Sequence, residues 1–178
     1  MATQGFTIFD TPIGHCGLCW GTDIVRGVAL PSHNPRQTRD LLDTRFPDVA
    51  QCPPPEWVRH LIHRLVALLR GEAVTLTDVP LDTSGIGTFP QRVYAFTRTV
   101  PAGQTRTYGE VATALGASGA ARAVGRALGA NPFPIIVPCH RVLAADGGTG
   151  GFSAHGGRHL KHRMLEIEGA ADPALFDF

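Results

Sequence analysis

A cysteine, a histidine and an arginine stand side by side in the segment Pro138-Cys139-His140-Arg141-Val142. A thiol becomes a nucleophile when its thiolate is populated, and a neighbouring imidazole or cation favours that state. The preceding residues, Ile135-Ile136-Val137, predict a short buried strand that continues into this segment. Because successive side chains of a strand point to opposite faces, His140 would act on Cys139 through a water or across a turn. On this pattern alone, Cys139 is either a nucleophile or a buried, unreactive cysteine.

Three further cysteines, Cys16, Cys19 and Cys52, are candidates for other chemistry. A disulfide framework is not expected in a chain of 178 residues without a signal peptide. Cys16 and Cys19 have a C-x-x-C spacing, but residues three apart on a strand face opposite sides, so binding zinc would need a turn at Gly17. No second pair has a standard spacing. We therefore favour buried or surface thiols and predict no metal site.

The composition predicts a folded protein of one domain or two small ones. Hydrophobic residues make up 43% of the 178 residues and charged residues 17%, which argues against intrinsic disorder. No apolar run approaches the roughly 18 residues that a membrane span needs. The first residues lack the basic and apolar parts of a secretory signal. We expect a soluble, cytoplasmic protein with no membrane partner.

The beginning of the chain is predicted to be mixed α/β. Residues 6–9 and 18–30 are rich in β-forming types and are interrupted by proline and glycine. This pattern predicts a small antiparallel sheet. A short helix is expected near Thr38–Leu42.

A longer helix is predicted over Glu56–Arg70, because apolar residues recur along one face. Pro55 suits its first turn and Gly71 suits its end. Residues 72–87 have the composition of a linker. We therefore place a domain boundary near residue 85.

The second half is predicted to be a series of short helices. Thr88-Phe89-Pro90-Gln91 and Thr107-Tyr108-Gly109-Glu110 both match a capping box, in which the first and last side chains bond each other's backbone amides. The second box would open a two-turn helix that Gly116 ends. Ser118 is expected to cap a following helix over residues 119–128. Two short helices joined by a few residues that include glycine form a helix-turn-helix; the alternative is two ordinary packed helices.

The helix over residues 119–128 has the composition of a minor-groove binder. Its residues are mostly small apart from two arginines, and the candidate DNA contacts are Ala121, Arg122, Ala123, Gly125 and Arg126. Small side chains let a helix backbone approach a surface closely, whereas a major-groove reader carries long polar side chains. Arginine enters the narrower minor groove readily. We therefore expect sequence-independent contact with DNA.

Positive charge is concentrated in the same half of the chain. Residues 1–84 have a net charge of −2 and residues 85–170 a net charge of +5. This asymmetry is expected if only one half contacts a polyanion, although an ordinary uneven surface would look the same. Of the 16 lysine and arginine residues, all except Lys161 are arginines, which suits phosphate contact.

Several stretches of the second half resemble the O6-alkylguanine-DNA alkyltransferases, the methylated-DNA–protein-cysteine methyltransferase family. Asn131–Val142 resembles the active-site signature of that family, with a Pro-Cys-His-Arg core after an Asn-Pro turn. Thr107–Ala112 and Ala120–Gly125 resemble its helix-turn-helix. Gly151-Phe152-Ser153 and Lys161–Gly169 resemble its pocket loop and closing helix. The first half resembles the variable domain of the family in outline.

The resemblance implies a fold and a reaction. The fold is α/β, with a small N-terminal α/β domain containing an RNase H-like sheet over residues 1–84. A mainly helical C-terminal domain over residues 85–178 carries the helix-turn-helix and the alkyl acceptor. The reaction is direct-reversal DNA repair, in which the alkyl group of O6-alkylguanine passes irreversibly to Cys139 after the base is flipped out. O4-alkylthymine is a further candidate substrate, and no cofactor is needed. The implied partner is double-stranded DNA contacted from the minor groove by a monomer, which implies association with the nucleoid in a prokaryote.

The resemblance also implies roles in binding the base. Arg122 would fill the gap that the flipped base leaves in the stack. Tyr108 would donate a hydrogen bond to the guanine ring, and the carbonyls of Cys139 and Val142 would accept from its exocyclic amine. The Ser153 amide would donate to O6. The other implied contacts to the base are Pro134 and Phe152.

Three residues are implied to support the thiol. His140 would take the proton of Cys139 through a water, and Glu168 would orient and polarise His140. Asn131 would brace the helix-turn-helix against the active-site strand.

Three other interpretations stay open. The first is an alkyltransferase-like protein that binds lesions without repairing them; such proteins lack the acceptor cysteine, so Cys139 disfavours it. The second is a DNA-binding regulator that uses the helix-turn-helix without chemistry. The third is a Cys-His hydrolase, for which the sequence offers no evident third partner.

Overall fold

The structure is a computed structural model that describes residues 3–148 and 156–170. The chain separates into two compact units. Unit 1 comprises Met1–Asp82 and the segment Pro132–Ile136, and unit 2 comprises Thr83–Asn131 and Val137–Phe178. A boundary between two domains near residue 85 stays a prediction. The segment Pro132–Ile136 belongs with unit 1, while Val137 and the residues after it belong with unit 2.

Unit 1 contains the small antiparallel sheet that the β-forming residues predict. Its strands are β1 (Gly5–Thr11), β2 (Gly14–Gly21) and β3 (Ile24–Ala29), hydrogen-bonded in the order β1-β2-β3. Phe6 of β1 lies opposite Cys19 of β2, and both are buried in a core with Leu42 and Phe46. The α/β class is therefore confirmed. The RNase H-like arrangement stays a prediction.

Two helices complete unit 1. Helix α1 (Pro35–Arg45) is longer than predicted because the Asn34 side chain caps it, accepting from the Gln37 amide at 3.0 Å, and proline begins it. Helix α2 (Glu56–Leu69) confirms the predicted helix and buries its apolar face. No helix formed by residues 3–148 and 156–170 is long and apolar enough to cross a membrane.

The described residues of unit 2 form four short helices, a 3-10 turn and a pair of very short strands. In chain order they are α3 (Thr88–Thr97), β4 (Arg106–Thr107), α4 (Tyr108–Ala114), α5 (Ala121–Gly129), the 3-10 turn Cys139–Arg141, β5 (Val142–Leu143) and α6 (Gly157–Ile167). Helices α4 and α5 pack against each other across residues 115–120. Strands β4 and β5 are parallel.

The capping box at Thr107 is confirmed. The Thr107 hydroxyl accepts from the Glu110 amide at 3.1 Å, and the Glu110 carboxylate accepts from the Thr107 amide at 2.6 Å. Because both orphan amides are satisfied, helix α4 begins sharply at Tyr108.

Two other predicted caps are wrong. Helix α3 has Gly87, not Thr88, at its N-cap, and the Gln91 side chain donates to the Ile86 carbonyl at 2.6 Å instead of reaching back to an amide. Ser118 bonds the Thr113 hydroxyl at 3.4 Å, and α5 begins only after Ala120 without a side-chain cap.

A buried tyrosine supports the end of helix α5. The Tyr94 hydroxyl donates to the Ala127 carbonyl at 2.8 Å, and Tyr94 is only 4% exposed. Carbonyls in the last turn of a helix have no partner within the helix. We expect Tyr94→Phe to lower the free energy of unfolding by about 1–2 kcal/mol, since it leaves this carbonyl unsatisfied. Urea unfolding measures the change.

Thr99→Val is the matched control. It removes an exposed hydroxyl that donates to the Phe96 carbonyl at 2.7 Å, and we expect it to change stability by less than about 0.5 kcal/mol. Equal losses in the two variants would mean that the Tyr94 hydroxyl adds nothing specific to α5.

Candidate active site around Cys139

The segment before Cys139 is a turn and not the predicted strand. Ile135 has a φ of 75°, in the left-handed region that β-branched residues avoid, and it is 1% exposed. The predicted β-like conformation of the following residues is also wrong, because Cys139–Arg141 form a 3-10 turn. The apolar run Ile135-Ile136-Val137 is therefore buried because it forms a packed turn, and not because it forms a strand. In the 3-10 turn, side chains do not alternate between two faces as they do in a strand, so Cys139 and His140 can belong to one site although they are adjacent in sequence.

Cys139 is almost buried and its sulfur is hydrogen-bonded. The residue is 6% exposed. Burial raises the pKa of the Cys139 thiol above its ordinary value, and hydrogen bonds from the Asn131 side chain and from the amides of Cys139 and His140 oppose this effect. At neutral pH the resting group is a thiol whose sulfur is surrounded by donors that favour the thiolate.

Asn131 lies just beyond helix α5 and contacts the reactive segment, as predicted. Its Nδ2 donates to the Val137 carbonyl at 2.9 Å, and its side chain also hydrogen-bonds Cys139. Because the amide nitrogen carries two protons, one group can make both bonds. Asn131 thus connects the end of α5 to the backbone that carries the thiol.

His140, Arg141 and Glu168 form a buried charge network. Glu168 Oε1 accepts from His140 Nε2 at 2.9 Å and from Arg141 Nη2 at 2.7 Å, and Oε2 accepts from Arg141 Nε at 3.0 Å. Arg141 Nη1 donates to the Val100 carbonyl at 2.6 Å. The sequence analysis paired His140 with Glu168 but missed Arg141, whose guanidinium donates to both oxygens of the Glu168 carboxylate.

This network determines which nitrogen of His140 can act as a base. Burial raises the pKa of Glu168, but the hydrogen bonds and charges of His140 and Arg141 outweigh it and hold that pKa at about 2. An ionised carboxylate only accepts, so Nε2 carries the imidazole proton. Burial lowers the pKa of His140 despite Glu168, so the ring is neutral. Nδ1 then presents a lone pair, and it is buried with no hydrogen-bond partner among residues 3–148 and 156–170.

Lys161 is a site residue that sequence reasoning missed. It is 1% exposed, its Nζ donates to the Val142 carbonyl at 2.6 Å, and it lies 5.8 Å from the centroid of the Tyr108 ring. Burial lowers the pKa of Lys161 to about 8, although the Cys139 charge opposes this. A lysine buried in an amphipathic helix is the signal that could have indicated it. Lys161 occupies one lone pair of the carbonyl predicted to contact the base.

The parallel strands β4 and β5 bring Tyr108 and Val142 together. Arg106 pairs with Val142 and Thr107 with Leu143, so the residue that begins α4 lies beside the strand that follows the 3-10 turn. Burial, and then the Cys139 charge, raises the pKa of Tyr108. Its hydroxyl therefore keeps the proton that a hydrogen-bond donor needs.

Helix α5 buries one face and exposes its arginines. Val124, Ala127 and Leu128 are buried, while Arg122 and Arg126 are exposed, with half-buried Ala121, Ala123 and Gly125 beside them. The exposed surface of the helix is therefore low in bulk and positively charged.

The remaining candidates lie elsewhere. Pro134 is half-buried in unit 1, and Phe152 and Ser153 lie outside the described residues. Cys16 and Cys19 are free and buried within β2, and burial raises the pKa of each to about 12, so both are protonated thiols. Cys52 is free and half-buried. Residues 3–148 and 156–170 contain no group of three or more His, Cys, Asp or Glu side chains that could hold a metal.

The charge network predicts an acid-sensitive contribution to stability. The pKa of Glu168 is lowered from 4.5 to about 2, so its stabilising effect is complete above 4.5 and is lost as the pH falls towards 2. We expect Glu168→Gln to cost about 3 kcal/mol at pH 7. The difference in unfolding free energy between the variant and the wild type should shrink across that window, as measured by urea unfolding at several pH values.

Glu166→Gln is the control for this prediction. Glu166 pairs with His162 and Arg163 on the surface of α6, where an ion pair adds little stability. A cost for Glu168→Gln that stays constant down to pH 2 would contradict the prediction.

The chain is similar to one family model and to several known proteins. Residues 88–170 match the family model described as 6-O-methylguanine DNA methyltransferase, DNA binding domain. The chain is 47% identical to a methylated-DNA–protein-cysteine methyltransferase of Mycobacterium bovis over 175 residues, 97% of this chain and 98% of the relative. A crystal structure of Mycobacterium tuberculosis OGT in complex with DNA matches with a TM-score of 0.74 at 37% identity, over 96% of this chain and 97% of that chain.

One relative has a different name. The chain is 45% identical over 104 residues to the DNA base-flipping protein of Thermus thermophilus, which is 58% of this chain and 68% of the relative. The full-length similarity to the methyltransferases is the broader of the two, and it includes unit 1. The chain therefore belongs to the methylated-DNA–protein-cysteine methyltransferase family, whose members carry out direct-reversal DNA repair.

Proposed function

We propose that Cys139 is the alkyl acceptor and that it removes the alkyl group of O6-alkylguanine from DNA in a single irreversible turnover. The observation that carries the proposal is the polarity of the site. Donors surround the Cys139 sulfur, and the adjacent imidazole has its Nε2 proton fixed by Glu168. This arrangement favours a thiol that loses its proton at the moment of attack.

The reaction balances without a cofactor. The sulfur of Cys139 attacks the alkyl carbon, forming a carbon–sulfur bond as the bond from that carbon to O6 breaks. The thiol proton passes to His140 Nδ1 through a water, and the departing guanine gains a proton at its ring from Tyr108. Proton exchange through water then returns His140 to its neutral form and gives Tyr108 its proton back, so that the net transfer is one proton from sulfur to guanine. The product is a thioether that nothing in the site reverses, so each molecule acts once.

The groups around the sulfur suit a purine. The carbonyls of Cys139 and Val142 accept from the exocyclic amine, and Lys161 holds the Val142 carbonyl in place at 2.6 Å. The Ser153 amide donates to O6, and Phe152 and Pro134 line the pocket in this proposal. O4-alkylthymine also carries its alkyl carbon on an exocyclic oxygen of the base, and we propose it as a secondary substrate.

The proposed partner is double-stranded DNA entered from the minor groove by a monomer. A base inside a duplex cannot reach an almost buried sulfur, so the lesion is flipped out and Arg122 takes its place in the stack. The low bulk of α5 and the DNA complex of the Mycobacterium tuberculosis relative support this. Because chromosomal DNA is the substrate, the proposed location is the cytoplasm of a prokaryotic cell.

Intact mass after incubation with an O6-methylguanine duplex tests the proposal. We expect one added methyl group per molecule, on the peptide that contains Cys139, and none on peptides containing Cys16, Cys19 or Cys52. An unchanged mass after excess substrate would reject it.

The relative named DNA base-flipping protein supports a second candidate function, lesion binding without transfer. The same experiment separates the two functions. Tight, selective binding of the methylated duplex with no added mass would favour binding alone. The donors on the Cys139 sulfur favour transfer.

A further inference from the structure

An arginine of unit 1 holds the backbone that leads into the reactive turn. The Pro132 carbonyl accepts two hydrogen bonds, from the Val28 amide at 2.9 Å and from Arg45 Nη2 at 2.9 Å. Arg45 Nη1 donates to the Val28 carbonyl at 3.2 Å. One guanidinium therefore ties β3 to the segment Pro132–Ile136, all within unit 1.

The position of Arg45 is itself closely fixed. It is the last residue of α1, and it lies 5.2 Å from the centroid of the ring of Phe46. A Cβ at Gly27 would come within 2.6 Å of that ring and 3.3 Å of Arg45 Nη2. Only glycine leaves room at this point of β3 for the ring and the guanidinium together. The planar guanidinium of Arg45 must be held in this position to donate to the Val28 and Pro132 carbonyls at the same time.

The segment that Arg45 holds is short and strained. Its far end continues into Val137, whose carbonyl accepts from Asn131 at 2.9 Å. Between the two anchors lies Ile135, buried and left-handed. A β-branched residue in this conformation is strained and persists only where the surroundings hold it. Arg45 supplies one of those restraints.

We propose that Arg45 is a positioning residue for alkyl transfer, which holds the Pro132 carbonyl so that the strained turn presents Cys139 in its reactive orientation. This inference rests on the proposed function. Alkyl transfer depends on where the Cys139 sulfur is placed, because a displacement of about 1 Å can slow a reaction about a hundredfold. Arg45 contacts neither base nor sulfur, so its effect passes through the backbone.

Single-turnover kinetics of three variants test the proposal. Arg45→Met keeps the alkyl stem and loses both donors, and Arg45→Lys keeps one charge but not the fork. Arg26→Met is the matched control, because Arg26 also lies over the Phe46 ring, at 5.3 Å, but bonds Asp48 instead of Pro132. Rates are measured with free O6-benzylguanine and with saturating methylated duplex, alongside duplex affinity and thermal unfolding.

We expect Arg45→Met to slow both reactions about tenfold at a temperature where it is fully folded. Arg45→Lys should fall between it and the wild type, and Arg26→Met should match the wild type. Duplex affinity should stay unchanged, since α5 is in unit 2. A rate loss without an affinity loss is the signature that a general loss of stability would not produce.

Two results would overturn the inference. One is an unchanged rate for folded Arg45→Met, or for Arg45→Lys if the methionine variant does not fold. The other is an equal slowing in Arg26→Met, which would assign the effect to the Phe46 cluster as a whole. Failure of the wild type to become alkylated would instead reject the proposed function, so the two failures are distinguishable.

Discussion

Replacing Cys139 with alanine should abolish alkyl transfer completely while leaving DNA binding intact. The Cys139 sulfur is the atom that would keep the alkyl group as a stable thioether. The hydroxyl of a serine variant is far less acidic, so we expect Cys139→Ser to be equally inactive. The residue is 6% exposed and contributes little surface of its own, so binding through α5 should persist. Intact mass and a fluorescence binding assay with the same methylated duplex measure the two effects.

Two other cysteines provide controls for this experiment. Cys16→Ala removes a buried thiol whose pKa burial raises to about 12, and Cys52→Ala removes a half-buried one in unit 1. Both variants should transfer the alkyl group at the wild-type rate. Residual transfer by Cys139→Ala would place the acceptor elsewhere and would reject the proposed mechanism.

Replacing Arg122 with alanine should slow repair of duplex DNA by about a hundredfold, because opening the stack costs a few kcal/mol and each 1.4 kcal/mol is a factor of about ten. The reaction with free O6-benzylguanine needs no base flipping and should change less than about twofold. Single-turnover rates with the two substrates give the ratio.

Arg126→Ala is the matched control on the same helix. Arg126 is exposed one turn beyond Arg122, and we expect it to contact phosphate. Its loss should weaken duplex binding and lower the salt dependence by about one phosphate contact, with the rate at saturating DNA unchanged. If Arg122→Ala lost as much activity on the free base as on the duplex, Arg122 would affect the structure of the active site and not base flipping.

The features that the sequence predicted well depend on neighbouring residues. Helix α2 follows from the spacing of its apolar residues, and helix α4 follows from the reciprocal bonds of Thr107 and Glu110. The Thr88 and Ser118 caps failed although they use the same residue types. Thr88 is already the first residue of α3, with Gly87 at the N-cap, and the Ser118 hydroxyl bonds Thr113 instead of a helix amide. A hydroxyl before an apolar run indicates a cap only when no other acceptor competes for it.

The features that the sequence analysis missed depend on residues that are distant from one another in the chain. Ile135-Ile136-Val137 has the composition of a strand, and no local pattern predicts the left-handed turn that packing imposes. The Cys-His-Arg motif suggested Cys139 and His140, while the partner of Arg141 lies 27 residues away. Arg45 and Pro132 are 87 residues apart, so their contact depends on the tertiary fold alone.

Lys161 lies in α6, and Glu168, seven positions later, is the C-cap residue of the same helix. Seven residues are about two turns, so the ammonium and the carboxylate share one side of α6. An insertion between them would rotate the second group by about 100° and would separate it from the imidazole. Length changes before Gly156 would preserve their register. Natural variants of this chain should therefore tolerate insertions and deletions on the N-terminal side of the helix and exclude them within it.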